Sequence, residues 1–405
     1  VSHEVAVTGL GLVSPAGAGT EQSWQGVCAG VGTATEDPTL ASAAVGISCR
    51  VPPYDADAEF GASEAWRLDR FVQLALLAAR EAVSDSGLEP ARWDGTRVGV
   101  VIGSAAGGVA TLESQHAGFL ERGPKGVSAL FHPMALVNMV SGRLAIEFGA
   151  TGPNLVTATA CASGATAIGV ARDLLVSGAC DVVIAGGTEA AISPTFVTGF
   201  ARMGALSRRS GRPSGVSRPF DVNRDGFVIG EGAGVLVLES VDHARRRGAD
   251  VRARLVGYGA SADASHVTAP HPQGRGIEQA MRRACADAGL PLERVGHINA
   301  HGTSTQLNDA VEADAIHRLF GAGVPVTSTK GVTGHTLGAA GAIEAALTVL
   351  SLSRQTLPPT ANLEQLDPAI ALDVVAGGPR PVAASYALTN SAGFGGHNVS
   401  LAFAV

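Results

Sequence analysis

Lysine is nearly missing from this chain of 405 residues: of 29 basic residues only Lys125 and Lys330 are lysines. The net charge is −7, and the only dense basic run is Arg245-Arg246-Arg247, read as a solvated helix face. Nucleic acid is therefore excluded as a partner class. Aromatic residues make up only 4%, which leaves a core of Ala, Val, Leu and Ile. The five cysteines (28, 49, 161, 180, 285) are odd in number and show no CxxC spacing. They fit free thiols in a reducing compartment better than a disulfide framework or a zinc site. No apolar run reaches membrane-spanning length, and the N-terminus has no charged segment leading into an apolar one. A soluble cytoplasmic protein with no membrane partner is expected. There is no phosphate-binding P-loop. Gly9-Leu10-Gly11 begins like a dinucleotide fingerprint, but the sixth position is Ser14 and no acidic ribose ligand follows; a tight strand-exit turn is expected there.

What the chain does contain is alternation. Short β-branched runs (4–8, 97–103, 181–186, 234–239, 251–258, 295–300, 384–389, 398–404) interleave with Ala/Leu-rich helical patterns (66–86, 135–148, 162–177, 276–289, 341–353). This predicts an α/β fold with sheets covered by helices on both faces. Two helix ends carry similar text, AREAVSDSGLEPARW at 79–93 and MRRACADAGLPLERV at 281–295, each leading into a strand. The similarity predicts an internal duplication with its junction near 244–251, giving halves 1–248 and 249–405. Segment 203–230, rich in Arg, Ser, Gly and Asp, reads as a long ordered loop of the functional kind.

The reactive candidates are few. Cys161, in Thr159-Ala160-Cys161-Ala162-Ser163-Gly164, sits where an extended stretch meets a helix. Unpaired N–H groups and the positive helix end would favour a thiolate there. Taken singly, such a cysteine is also an ordinary small core residue. His301 (in HGTST) and His335 (in TGHTLG) each lie in a turn of small residues, which would let an extended substrate come close. Lys330 stands five residues before His335, in a chain that otherwise uses arginine, which cannot reproduce a compact ammonium head. The run 390–398 (NSAGFGGHN) offers a glycine turn carrying Phe394 as a movable gate beside a backbone N–H donor.

With these residues in hand, the chain resembles the elongating β-ketoacyl-[acyl-carrier-protein] synthases, the thiolase-fold condensing enzymes. The likeness runs from VTGLGLVSPAG through SRPFDVNRDGFVIGEGAGVLVLE to NSAGFGGHN, with TACASG, HGTST and STKGVTGHTLGAAG as its motifs. It implies a thiolase-like α/β fold of two duplicated halves, with mixed sheets in an αβαβα layering. It implies that Cys161 holds an acyl chain as a thioester while His301 and His335, as neutral donors, promote decarboxylation of malonyl carrier protein. The N–H groups of Cys161 and Phe394 would form the oxyanion hole. Lys330 and Glu344 would orient and tune His335, Thr303 and Thr305 would contact the pantetheine arm, and Leu112 would line the acyl tunnel near a dimer interface. The chain would need no cofactor of its own, since phosphopantetheine arrives on the acyl carrier protein, and no metal. Its partner would be a second copy or a homologous chain-length factor, in type II polyketide or fatty-acid synthesis. A non-catalytic interaction subunit is the rival reading, as are a cysteine hydrolase and a Cys/His/His metal site. Three departures bear on specificity: Ala392 where an aromatic is common, His397 in place of Thr, and Gln306 in place of Pro. They predict a pocket adapted to a chain other than a simple saturated one.

Overall fold

The computed structural model describes residues 4–405; the first three residues of the N-terminal half lie outside the described residues. The apolar runs Val98–Gly103 and Val182–Glu189 form strands buried along their whole length, as a sheet covered on both faces requires. From one edge the strand order is Asn154–Thr157, Val98–Gly103, Val182–Glu189, Gly232–Ser240, Val5–Ser14. It continues through Ala253–Ala262, His397–Ala404, Tyr386–Gly393, His297–Asn299 and Pro325–Thr327 to Asp373–Val374. Pairing is parallel toward both edges and antiparallel in the middle, so each half repeats the other's pattern. The two half-sheets do not stand apart. Val5–Val7 pairs with Ala253–Leu255, which makes the hydrogen bonding continuous across the duplication.

Helices Ser163–Val176 and Ala340–Arg354, one from each half, pack against each other in the middle of the molecule. Arg70–Asp85 covers the N-terminal half-sheet on its outer side, and Arg275–Asp287 does the same for the C-terminal one. The central pair comes close because each helix sets a glycine against an alanine of the other: a Cβ on Gly164 would lie 2.9 Å from Ala342 N, and one on Gly341 2.8 Å from Ala165. The small residues near Cys161 thus serve helix–helix contact. Every residue from Ala340 to Leu352 is buried. Segment Leu337–Arg354 has the length and hydropathy of a membrane span, but 89% of it is buried inside the protein, which marks it as a core helix.

The strand-exit turn expected at Gly9-Leu10-Gly11 does not occur. The strand runs on to Ser14, and both glycines lie under helix Arg70–Asp85. A Cβ at position 9 would sit 2.1 Å from Ala82 O, and one at position 11 would sit 1.8 Å from Ala78 O. These glycines report backbone contact rather than a turn.

His297, on strand His297–Asn299 between two parallel neighbours, is fully buried, with Nε2 2.9 Å from Thr327 Oγ1. Burial pushes its pKa down to about 3, so the native ring is neutral. The unfolded chain takes up a proton near pH 6.5 and the folded one does not, so stability falls as pH drops below that value. Replacing His297 by Gln removes this proton. Urea unfolding between pH 4 and 6 should then show a slope shallower by about 1.4 kcal/mol per pH unit than wild type.

Candidate active site

The site is assembled from three turns. Cys161 follows Ala160, which adopts φ 51°, and lies in the short 3-10 turn Ala160–Ala162 that opens helix Ser163–Val176. Ser163 Oγ accepts from Thr159 N (2.9 Å) and donates to Ala160 O (2.6 Å), which fixes that turn. The N–H groups of Phe394 and of Cys161 itself favour the thiolate form. Burial nevertheless pushes the thiol up to about 12, against the pull of Lys330 and these N–H groups. The helix start alone therefore does not make a resting thiolate, contrary to the expectation from position. Deprotonation belongs to the reaction step.

His301 leaves strand His297–Asn299 on a tight turn whose N–H groups are collected by one carboxylate. His301 N and Gly302 N donate to Glu312 Oε1 and Oε2 at 2.8 and 2.9 Å. Asn390 Nδ2 donates to the same Glu312 (3.3 Å). Below the turn, Asp309 Oδ2 accepts from Ser304 N and Phe220 N (3.1 and 2.9 Å), which pins the long loop to the HGTST segment. His335 is held by that loop. Its N–H donates to Val228 O (2.7 Å), Gly230 N donates to His335 O (2.9 Å), and Phe227 meets the ring edge-on at 5.2 Å. The two imidazole centroids are 5.3 Å apart.

Lys330 and Glu344 form a buried ion pair. The ammonium does not orient His335, as expected from the motif, but His301: Nζ donates to His301 O at 2.6 Å and stands 3.5 Å from His301 Nδ1. An ammonium facing Nδ1 leaves the ring proton on Nε2, the tautomer of a donor. Its effect on His335 is through charge alone. Both histidines are held well below the usual imidazole range, first by burial and then by Lys330, so both are neutral.

Cys161, His301 and His335 open onto one cavity of about 400 Å³, lined also by Thr303, Thr305, Ala392 and Phe394. Thr303 and Thr305 share a hydroxyl contact of 2.9 Å, and Thr305 caps helix Gln306–Phe320. Phe394 packs on Phe200 at 6.1 Å, and Phe200 on Phe227 at 5.3 Å, giving an aromatic path from the gate to His335. His397, expected at the lining, is instead exposed, its ring folded over Gly395. Leu112, expected near a dimer interface, is 53% exposed on helix Val109–Arg122. Among the described residues no group of three or more His, Cys, Asp or Glu is set to hold a metal ion. Asp309 and Glu312 escaped the sequence reading. Their spacing of three on the helix after HGTST, which turns both toward the histidine turn, was the available signal.

A buried thiol and two neutral imidazoles share one cavity, with the Lys330 ammonium behind His301. Residues 2–244 match the β-ketoacyl synthase N-terminal domain, and residues 252–364 match its C-terminal domain. The chain belongs to the β-ketoacyl synthase family. Its relatives include 3-oxoacyl-[acyl-carrier-protein] synthase 2 of Synechocystis sp., 45% identical over 98% of this chain and 97% of that protein. The Vibrio cholerae protein of the same name is 43% identical over 99% of each. Among solved structures, the ishigamide ketosynthase/chain length factor superposes with a TM-score of 0.93 at 32% identity over the full length of both chains. A type II polyketide ketosynthase bound to its acyl-carrier protein and a hexaketide superposes at 0.90, with 30% identity over the full length of both. The synthase thus has full-length relatives on the fatty-acid side and full-length structural neighbours on the polyketide side.

Proposed function

We propose that this synthase joins a Cys161-bound acyl chain to the two-carbon unit of malonyl-acyl carrier protein, with loss of CO2. The observation that carries the reading is the convergence of Cys161, His301 and His335 on one cavity that Thr303, Thr305 and Phe394 also line. Cys161 sulfur attacks the acyl thioester. Its proton passes through a neutral imidazole to the departing pantetheine sulfur. The malonyl thioester then enters, and N–H donors from His301 and His335 stabilise the enolate that forms as CO2 leaves. Two neutral rings 5.3 Å apart can serve one oxygen, whereas two imidazolium ions would repel each other. The enolate carbon attacks the acyl carbonyl, whose oxygen meets the N–H groups of Cys161 and Phe394. The C–S bond breaks, the chain is two carbons longer, and the released Cys161 thiolate takes up one proton from solvent.

The pantetheine arm comes with the carrier protein, and no resident cofactor enters this scheme. Arg202, Arg208 and Arg209 are exposed next to the mouth residues Met203 and Gly204, where they suit the arm's phosphate. Edge strand Asn154–Thr157 pairs on one side only, and Leu112, Phe119, Leu120, Ile146 and Leu155 are all more than 40% exposed. An open edge and exposed apolar side chains favour a dimer, with a second copy or with a homologous chain-length factor. Five free cysteines suit a soluble enzyme of the cytoplasm.

Ala392 leaves room beside Phe394 that a bulky side chain would fill. This supports an unsaturated or polyketide chain as the acyl group, and through it the polyketide pathway. Incubation with a panel of acyl carrier proteins, followed by intact-mass measurement, should show one acyl adduct per chain. Extension should be faster for polyunsaturated than for saturated chains, and Ala392→Phe should cut the unsaturated rate about tenfold or more. Preference for saturated chains in wild type would rule this pocket reading out while leaving the reaction intact.

A further inference from the structure

The duplication brings a second carboxylate into the same framework. In the C-terminal half, Asn299 pairs with both Thr327 and Thr389, and two residues further on His301 N and Gly302 N donate to Glu312. In the N-terminal half, Gly103 pairs with both Thr157 and Gly187. Two residues further on, Ala105 N and Ala106 N donate to Glu189 at 2.7 and 3.3 Å. Ala105 is thus the counterpart of His301. The nucleophile also has a counterpart. Ala160 has φ 51° and Leu337 φ 50°; each opens a three-residue 3-10 turn that leads into a long central helix. Gly338 therefore stands where Cys161 stands.

The N–H of Cys161 faces the reacting centre. The N–H of Gly338 instead donates to Glu189 Oε2, at 3.2 Å. Ser104 Oγ completes the set on Oε1, at 3.1 Å. A carboxylate thus fills the place that an oxyanion would take in the duplicated site. There is no room for more, since a Cβ at position 338 would lie 2.5 Å from Ala105 N and 2.6 Å from Glu189 Oε2. Glu189 is fully buried at the end of Val182–Glu189. It belongs to the nucleophile's half but grips a turn that begins two residues after His335. Its negative charge also acts on Cys161, in opposition to that of Lys330.

We propose that Glu189 is a positioning residue for the condensation. By filling the duplicated oxyanion site it locks the His335 turn onto the half that carries Cys161. The inference rests on the condensation reading for its rate readout but not for its thiol readout. Glutamine cannot serve four donors with its single carbonyl oxygen, so Glu189→Gln presents an N–H to an N–H. Ser104→Ala keeps the carboxylate and removes one donor, which leaves Glu189 protonated up to a higher pH.

The test compares wild type, E189Q and S104A, each checked for folding by thermal unfolding. Two quantities are measured: kcat and KM for malonyl carrier protein, and the pH profile of Cys161 alkylation by iodoacetamide. E189Q should lower kcat by about tenfold or more with KM little changed. It should also displace the alkylation profile to lower pH, whereas S104A, whose carboxylate stays ionised where the thiol titrates, should leave the profile in place and lower kcat by a smaller factor than E189Q. A folded E189Q with unaltered kcat and profile overturns the proposal. If E189Q does not fold, an unaltered kcat in S104A does so. Should wild type fail to condense while the profile still shifts, the reaction assignment fails and the link between Glu189 and the thiol stands.

Discussion

Cys161→Ala should abolish condensation, lowering its rate by about 10⁴–10⁶-fold, and should remove the acyl adduct from the intact mass. Substitution of Cys28, Cys49, Cys180 or Cys285 should leave the adduct in place, since none of these lines the cavity. The decisive feature is a partial activity that survives. Decarboxylation depends on His301 and His335, whose anchors (Glu312 on one turn, Val228 and Gly230 on the other) do not pass through the sulfur. C161A should therefore still release CO2 from malonyl carrier protein, uncoupled from chain growth. Loss of both activities would mean that the thiol takes part in decarboxylation. Condensation by C161A would overturn the assignment of the nucleophile and revive the rival of a non-catalytic subunit with a different active chain.

The reactive groups were legible because chemistry restricts them to few residue types. One cysteine at a strand–helix junction and two histidines in glycine turns stand out against an apolar background. Their supports were not legible in the same way. Glu189 ends an apolar strand, and its four donors come from turns 80 or more residues away in sequence. No local pattern announces them. Gly9 and Gly11 were legible as special but not as to why, because the helix that presses on them lies some 70 residues downstream. His397 shows the reverse case. A motif position carried an expected role, but the hairpin turn directs its side chain outward. Lys330 lies between: its importance could be read from scarcity, its partner could not. Proximity in sequence pointed to His335, whereas the fold lays the ammonium on His301. The duplication was visible as two similar helix ends, and it extends to the sheet pairing and to the matched turns at Cys161 and Gly338.

Lys330→Met should destabilise the protein by about 3–5 kcal/mol, because it strands a buried carboxylate without its cation. Lys330 is 1% exposed and Glu344 2%, and Glu344 Oε2 already has no hydrogen-bond partner among the described residues. Burial pushes Glu344 up to about 7 even with the ammonium attached. Without it the carboxyl becomes neutral at pH 7, and its proton must be taken up on folding. The sign follows from that. A carboxyl with a raised native pKa stabilises most below the unfolded value near 4.5 and loses this as pH rises through 7, so K330M should unfold more readily at pH 8 than at pH 5. Adding Glu344→Met removes both ions and should restore most of the loss, as exchange of a whole buried pair for apolar residues commonly does. Activity should not return with stability. Lys330 lowers both the His301 pKa and the Cys161 thiol pKa, so without it the alkylation profile of Cys161 should move to higher pH. That is the opposite direction from E189Q. A stable K330M/E344M protein with wild-type condensation would show that the pair only fills space. Opposite shifts from Lys330 and Glu189 would instead show a thiol set between two buried charges.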